Sequence, residues 1–189
     1  MEVRMRRRHF LQSLPIAAAA VSSLANSPSA QGTDSQRILV AYFSRTGNTR
    51  VIANQIRRTK NAVQFEITPA TQYPEDYEQT VAQASRETTA GYLPPLAASV
   101  ADLAGFDAVY IGLPIWGMTA PPVVRAFVQA HDLSGKIVYP FITHGGYGIG
   151  SSLDVLKAIA HRTDWQPEFV VEADQERRIL EQVRGWLAG

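Results

Sequence analysis

Five apolar runs, spaced along the chain with helix-like stretches between them, constrain this sequence most. "RILVAYF" (37–43), "FDAVYIGLP" (106–114) and "KIVYPFITH" (136–144) are nearly continuous in apolar residues. Strands of that kind belong to a sheet covered on both faces. "AVQFEIT" (62–68) alternates, as an edge strand with one wet face would, and "PEFVVEA" (167–173) is a shorter fifth candidate. Helical spacing lies between the runs, over Thr49 to Arg58, Pro74 to Glu87, Pro121 to Ala130, Ser151 to His161 and Asp174 to Leu187. Two of these begin at proline, and the first of the two, from Pro74, carries Glu75 and Asp76 in its first turn, as helix starts do. Strand–helix alternation repeated five times predicts an α/β fold, a doubly wound parallel sheet with right-handed crossovers and helices on both faces. "TTAGYLPPLAAS" (88–99) reads as a surface loop.

The first thirty residues are set apart. "MRRRHFLQSLPIAAAAVSSLANSPSA" has a basic start, an apolar middle too short to span a bilayer, and a tail of small residues. "RRHFLQ" (Arg7 to Gln12) resembles the twin-arginine signal of bacterial export, which implies a folded cargo, a periplasmic or otherwise exported destination, and no stable membrane span once the signal is removed. Residues 1–30 are read as that signal and 36–188 as one domain. Without the signal the chain carries a net charge of about −2, with no basic stripe for nucleic acid. With no cysteine present, disulfides, cysteine nucleophiles, thiolate zinc sites and iron–sulfur ligation are excluded.

In doubly wound sheets, ligands sit beyond the carboxyl ends of the strands, and three loops there have unusual chemistry. "SRTGNTR" (44–50) offers the hydroxyls of Ser44, Thr46 and Thr49, with Gly47 allowing close approach ahead of a helix N-terminus. Such a loop suits a phosphate dianion, or it is a plain capped turn. "GLPIWGMTAPP" (112–122) sets Trp116 to stack on a flat ring or to anchor its own loop, and Gly117 permits an unusual peptide orientation. "THGGYGIGSS" (143–152) brings main chain close to something or is mobile, and Tyr147 is a second candidate stacking face. Together they match a phosphorylated flat ring.

Other chemistries fail. "GGYGIGSS" has Ser151 where a Walker A loop has lysine, and no G-x-G-x-x-G follows the first strand. Ser44 and Pro114 stand where a receiver domain needs acids, and there is no G-x-S-x-G elbow. His131 and His161 read as solvated or capping residues, Arg177 and Arg178 as a solvated face, and Tyr73 and Tyr77 as packing their segment against the sheet.

"VAYFSRTGNTRVIANQI" (40–56) resembles the phosphate-binding signature of the flavodoxin family, with Ser44, Gly47, Thr49, Ala53 and Ile56 at family spacing and Ala41 where a larger residue is usual. "LPIWG" and "THGGYGIG" resemble its two ring loops. The resemblance, over about residues 36–188, implies bound FMN and strand order 2-1-3-4-5. It implies that Ser44, Arg45, Thr46, Gly47, Asn48 and Thr49 hold the phosphate. Pro114, Ile115, Trp116 and Gly117 would line one side of the ring, and Thr143, His144, Gly145, Gly146, Tyr147 and Gly150 the other. His144 departs from the small hydroxyl residue of many relatives. All are binding residues, with no catalytic residue and no metal ligand among them. The function implied is electron transfer to a redox partner protein or a small-molecule acceptor. The alternatives are an FMN-dependent NAD(P)H or quinone oxidoreductase on the same fold, and a cofactor-free binding module.

Overall fold

The computed structural model describes residues 36–173 and 176–188. The twin-arginine stretch, the cleavage region and the cap expected at Asp174 lie outside the described residues, as do the side chains of Arg177 and Arg178.

Elements follow in the order β1 (Ile38–Tyr42), α1 (Asn48–Lys60), β2 (Val63–Glu66), α2 (Tyr77–Ala90), β3 (Ala108–Pro114), α3 (Pro122–Ala130), β4 (Ile137–His144), α4 (Ser152–Ile159), β5 (Asp164–Trp165), β6 (Phe169–Glu172) and α5 (Glu176–Ala188). The sheet is parallel throughout, in the order β2-β1-β3-β4-β5, with β6 also on β4. This is the doubly wound arrangement expected of the alternating pattern. The fifth position departs from the single strand expected there. β5 pairs with Ile137 and Val138, while β6 pairs with Phe141 to His144. Pro167, which has no N–H to donate, lies in the break between them.

α2 starts and ends about three residues later than its pattern suggested. Asp76 caps it, its carboxylate accepting from the Gln79 amide at 2.8 Å. It ends at Gly91 in the left-handed region, so the loop expected over 88–99 begins inside the helix. The rest of that loop is tied down where Pro69 bridges Leu96.

The sheet separates two apolar layers. On one face Leu39, Val109, Ile111 and Leu113 pack with Val123, Val124, Phe127 and Leu156 of α3 and α4. On the other, Val40, Tyr42, Tyr110 and Phe141 pack with Ile52 and Ile56 of α1 and Val183 and Leu187 of α5. Gly112 is glycine because the Phe141 ring occupies the space of a side chain; a Cβ there would lie 2.1 Å from it.

His131 is a correction in part. It is buried rather than solvated, with Nδ1 against the Phe127 carbonyl at 2.8 Å and Nε2 accepting from the Val100 amide at 3.0 Å. It thereby closes α3 and ties it to the loop before β3. His161 is exposed.

Burial pushes the Tyr110 phenol up to about 12, aided by the neighbouring Tyr139, and raises Tyr42 and Tyr73 as well. Unfolding returns each phenol to about 10, so stability is whole below pH 10 and is lost as pH rises from there toward 12. Denaturant melts from pH 8 to 12 are expected to show that decline, with Tyr110→Phe reducing its slope; a flat profile contradicts it.

The candidate flavin cleft

β1, β3 and β4 deliver the three loops to one end of the sheet. After β1, the Phe43 amide donates to the Gly112 carbonyl at 2.9 Å, holding the chain in line until it turns at Ser44. Ser44 is buried, and its Oγ accepts from the amides of Gly47 and Arg50, each at 3.2 Å. The chain enters α1 through Gly47 at φ 97°, a left-handed geometry that L side chains strain to adopt. A Cβ at Gly47 would meet nothing within 4 Å, so conformation rather than space requires glycine there. Among the described residues, the amides of Thr46, Asn48 and Thr49 have no acceptor within the chain. They are the orphan donors of a helix start, where the dipole favours an anion.

Thr49 is buried at 1% exposure, and its hydroxyl meets that of Thr143 at 2.9 Å. The pair fastens α1 to the end of β4. Thr49→Val is expected to cost about 1–3 kcal/mol, because it strands the buried Thr143 hydroxyl, and Thr49→Val with Thr143→Val to recover part of that loss. Urea melts of the three variants check this; a double variant no more stable than the single one contradicts it.

The second loop turns on Gly117 and Met118, both at positive φ (57° and 63°). Trp116 and Thr119 exchange amide–carbonyl hydrogen bonds of 3.1 and 3.2 Å across it, a hairpin turn of the primed kind. Trp116 is half-buried and meets Phe43 (5.2 Å, 82°) and Tyr73 (4.9 Å, 83°) edge-to-face. The indole therefore anchors its loop and also forms part of the cleft wall.

The third loop is latched to the second. The Met118 carbonyl accepts from the Ser151 amide at 2.9 Å, and a Cβ on Gly150 would lie 2.0 Å from that same oxygen. His144 Nδ1 accepts from the Gly146 amide at 3.0 Å, which places the ring proton of the neutral imidazole on Nε2.

A cleft of about 490 Å³ opens between these loops, within the range of small-molecule sites. Of the sequence-derived site residues, Arg45, Thr46, Asn48, Pro114, Ile115, Trp116, Gly117, Thr143, His144 and Gly145 line it. Ser44, Gly47 and Thr49 stand behind the lining and shape the first loop. Gly146, Tyr147 and Gly150 do not line it. Tyr147 is 85% exposed and stands outside the cleft lining. Gly150 serves the close approach of the two loops instead.

The opposite wall is α2, which sequence reasoning missed. Tyr77, Thr80, Val81, Ala84, Ser85, Thr88 and Thr89 line the cleft from successive turns. Tyr77 was expected to pack against the sheet beside Tyr73. Only Tyr73 does; Tyr77 is 68% exposed and lies under the Arg45 guanidinium, 5.8 Å from its ring centroid. Arg45 also donates to the Glu75 carbonyl at 2.6 Å, joining the first loop to the approach of α2. The signal was present as a stripe of small and apolar residues at helical spacing in "YEQTVAQASRETTA".

Behind α2, buried Glu87 accepts from the Tyr73 hydroxyl and Gln83 Nε2, each at 2.8 Å, and Arg125 donates to Thr88 Oγ1 at 3.0 Å. Burial lowers the Arg125 guanidinium and, with the Glu87 carboxylate, raises the Tyr73 phenol. These bonds fix the face that α2 turns to the cleft. Among the described residues, no three His, Asp or Glu side chains form a metal site, and no helix is long and apolar enough to cross a membrane.

Comparisons with known proteins agree with this architecture. A family model described as Flavodoxin matches residues 37–187. A candidate flavoprotein from Bacteroides eggerthii is 33% identical, with 80% of this chain and 96% of that one covered and a TM-score of 0.68. A second, from Bacteroides uniformis, is 29% identical, covers 82% and 99%, and has a TM-score of 0.72. A flavoprotein solved in complex with FMN, from Lactobacillus acidophilus, shares the fold at 17% identity, with 77% and 99% covered and a TM-score of 0.64. No curated protein matches. With the model spanning nearly all of the described residues, on a parallel sheet of order 2-1-3-4-5, the chain belongs to the flavodoxin family.

Proposed function

We propose that the protein binds FMN in this cleft and transfers electrons through it, as an exported protein. The observation that carries the reading is the start of α1: amides that have no acceptor among the described residues, presented by a left-handed glycine at the end of the cleft lined by the cation Arg45. These residues fit a phosphate monoester. The amides of Thr46, Asn48 and Thr49 would hold its oxygens, with the Thr46 hydroxyl beside them. Ser44 keeps the loop in shape by accepting from the two neighbouring amides. Pro114, Ile115, Trp116 and Gly117 would flank the ring on one side, and Thr143, His144 and Gly145 would close its edge. FMN, when bound, supplies one- and two-electron redox chemistry. The chain's own part is to bind, orient and exclude water, and no side chain is called on as general acid or nucleophile.

Purified mature protein is expected to take up FMN with a visible absorption band and to bleach and recover through a cycle of dithionite and air. Protein that leaves FMN free in solution refutes the reading. Export is supported by "RRHFLQ", and Arg7→Lys with Arg8→Lys is expected to retain the precursor in the cytoplasm; unchanged delivery contradicts that route.

A second reading, oxidoreduction of a small molecule, is favoured by one feature. α2 walls the cleft along successive turns, which leaves room for a ligand beside the ring.

A further inference from the structure

Glu87 sits where a carboxylate is costly. It is buried in the last turn of α2, where the helix dipole also opposes a negative charge. The ion pairs among the described residues, Arg37 with Asp102 and Arg50 with Glu66, leave it out, and Arg125 donates to Thr88 instead. The side chains that donate to Glu87 are neutral, Gln83 Nε2 and the Tyr73 hydroxyl. A polar group buried at such a cost is accounted for by what it fixes. Here that is Tyr73. Tyr73 lies in irregular chain before α2, and among the described residues its own amide and carbonyl make no hydrogen bond to another backbone group. Its hydroxyl supplies a tether that its backbone does not. The Tyr73 ring in turn meets the Trp116 indole edge-to-face, 4.9 Å between centroids. Trp116 lines the cleft, whereas Tyr73, Gln83 and Glu87 do not.

We propose that Glu87 and Tyr73 are positioning residues for Trp116. The carboxylate holds the phenol, the phenol ring holds the indole, and the indole is thereby set in the cleft wall before a ligand arrives. The proposal rests on the FMN reading above. The other aromatic neighbour of the indole, Phe43, follows β1 directly and is fixed by its amide bond to Gly112, so it needs no such tether. Edge-to-face pairs have a preferred geometry, and a Tyr73 ring released from Glu87 leaves Trp116 with one fixed partner instead of two. A ligand would then have to order the indole as it binds, which weakens binding without removing any group that touches it.

The experiment titrates the mature protein and its variants with FMN, each beside its urea melt. Tyr73→Phe keeps the ring and removes the hydroxyl, and is expected to weaken FMN about fivefold. In a Trp116→Ala background the same Tyr73→Phe change is expected to cost nothing further, because residues that act through one partner are not additive. Should Tyr73→Phe fold poorly, the pair at Glu87 gives the same test. Glu87→Leu removes the acceptor and is expected to weaken FMN about fivefold, while Glu87→Gln, whose amide oxygen still accepts from Tyr73, is expected to stay within about twofold of the unaltered protein. Tyr73→Phe that lowers stability and leaves FMN affinity unchanged overturns the positioning role, as does a fivefold loss that persists without Trp116. Glu87→Gln that loses as much as Glu87→Leu overturns it too. Unaltered protein that leaves FMN free in solution overturns the functional reading beneath it, and the positioning role with it.

Discussion

Gly150→Ala is expected to lower the stability of the protein by about 2–4 kcal/mol and to weaken FMN binding together with it. Two separate costs add. At φ 53° the residue sits in the left-handed region, which charges an alanine about 1–2 kcal/mol. Its Cβ would also lie 2.0 Å from the Met118 carbonyl oxygen, 2.7 Å from the carbon and 2.9 Å from Cα, all backbone atoms without a rotamer to yield. Relief requires the 143–152 loop to move off the Gly117–Met118 turn, which breaks the bond from the Ser151 amide and shifts the wall that carries Trp116. Gly148→Ala separates the two costs. Gly148 is also at positive φ (79°), but a Cβ there meets nothing within 4 Å, so only the conformational part, about 1–2 kcal/mol, is expected. Denaturant melts of both variants read the difference, and equal losses would mean that the loops are not latched through Met118.

Trp116→Ala is expected to weaken FMN by about 1–3 kcal/mol, roughly fivefold to more than a hundredfold, and to destabilise the protein without ligand as well. The indole does two jobs in this structure. It lines the cleft, and it is held edge-to-face by Phe43 and Tyr73, contacts worth about 0.5–1.5 kcal/mol each beyond their burial. Trp116→Phe keeps an aromatic wall and is expected to restore most of the FMN affinity. A fluorescence titration of FMN with each variant, beside its urea melt, tells the two roles apart. If Trp116→Ala costs stability but leaves FMN affinity unchanged, the residue anchors its loop and does not touch the ring.

What the sequence made legible depended on how local the cause was. β1, β3 and β4 are continuous apolar runs because both faces of each strand are covered, and that burial is written directly into residue type. The Ser44–Thr49 turn was legible for the same reason: a glycine entering a helix, with hydroxyls beside it, has few uses. The divided fifth strand was not, since Asp164–Trp165 is too short to carry a pattern and its pairing depends on where β4 ends up.

The cleft wall on α2 was harder still. A helix with Tyr77 and Val81 on one face reads as packing its apolar stripe on the sheet, and only tertiary placement shows that the face looks into a cavity. The glycines after β4 carried a similar ambiguity. Close approach to a ligand and close approach to another loop ask the same thing of a residue, and Gly150 meets the Met118 backbone. Tyr147 shows the converse: nothing in its glycine-rich surroundings encodes where the ring is placed, and it stands in solvent outside the cleft lining.

The account turns on whether the unpaired amides before and within the first turn of α1 grip a phosphate. Titrating the mature protein with FMN and, separately, with riboflavin compares two ligands that share a ring and differ by that one group. Charge-assisted hydrogen bonds contribute about 1.5–3 kcal/mol each, so FMN is expected to bind at least about a hundredfold more tightly. Equal affinity for the two would show that the loop from Ser44 to Thr49 holds no phosphate, and the assignment of the cleft to FMN would fall.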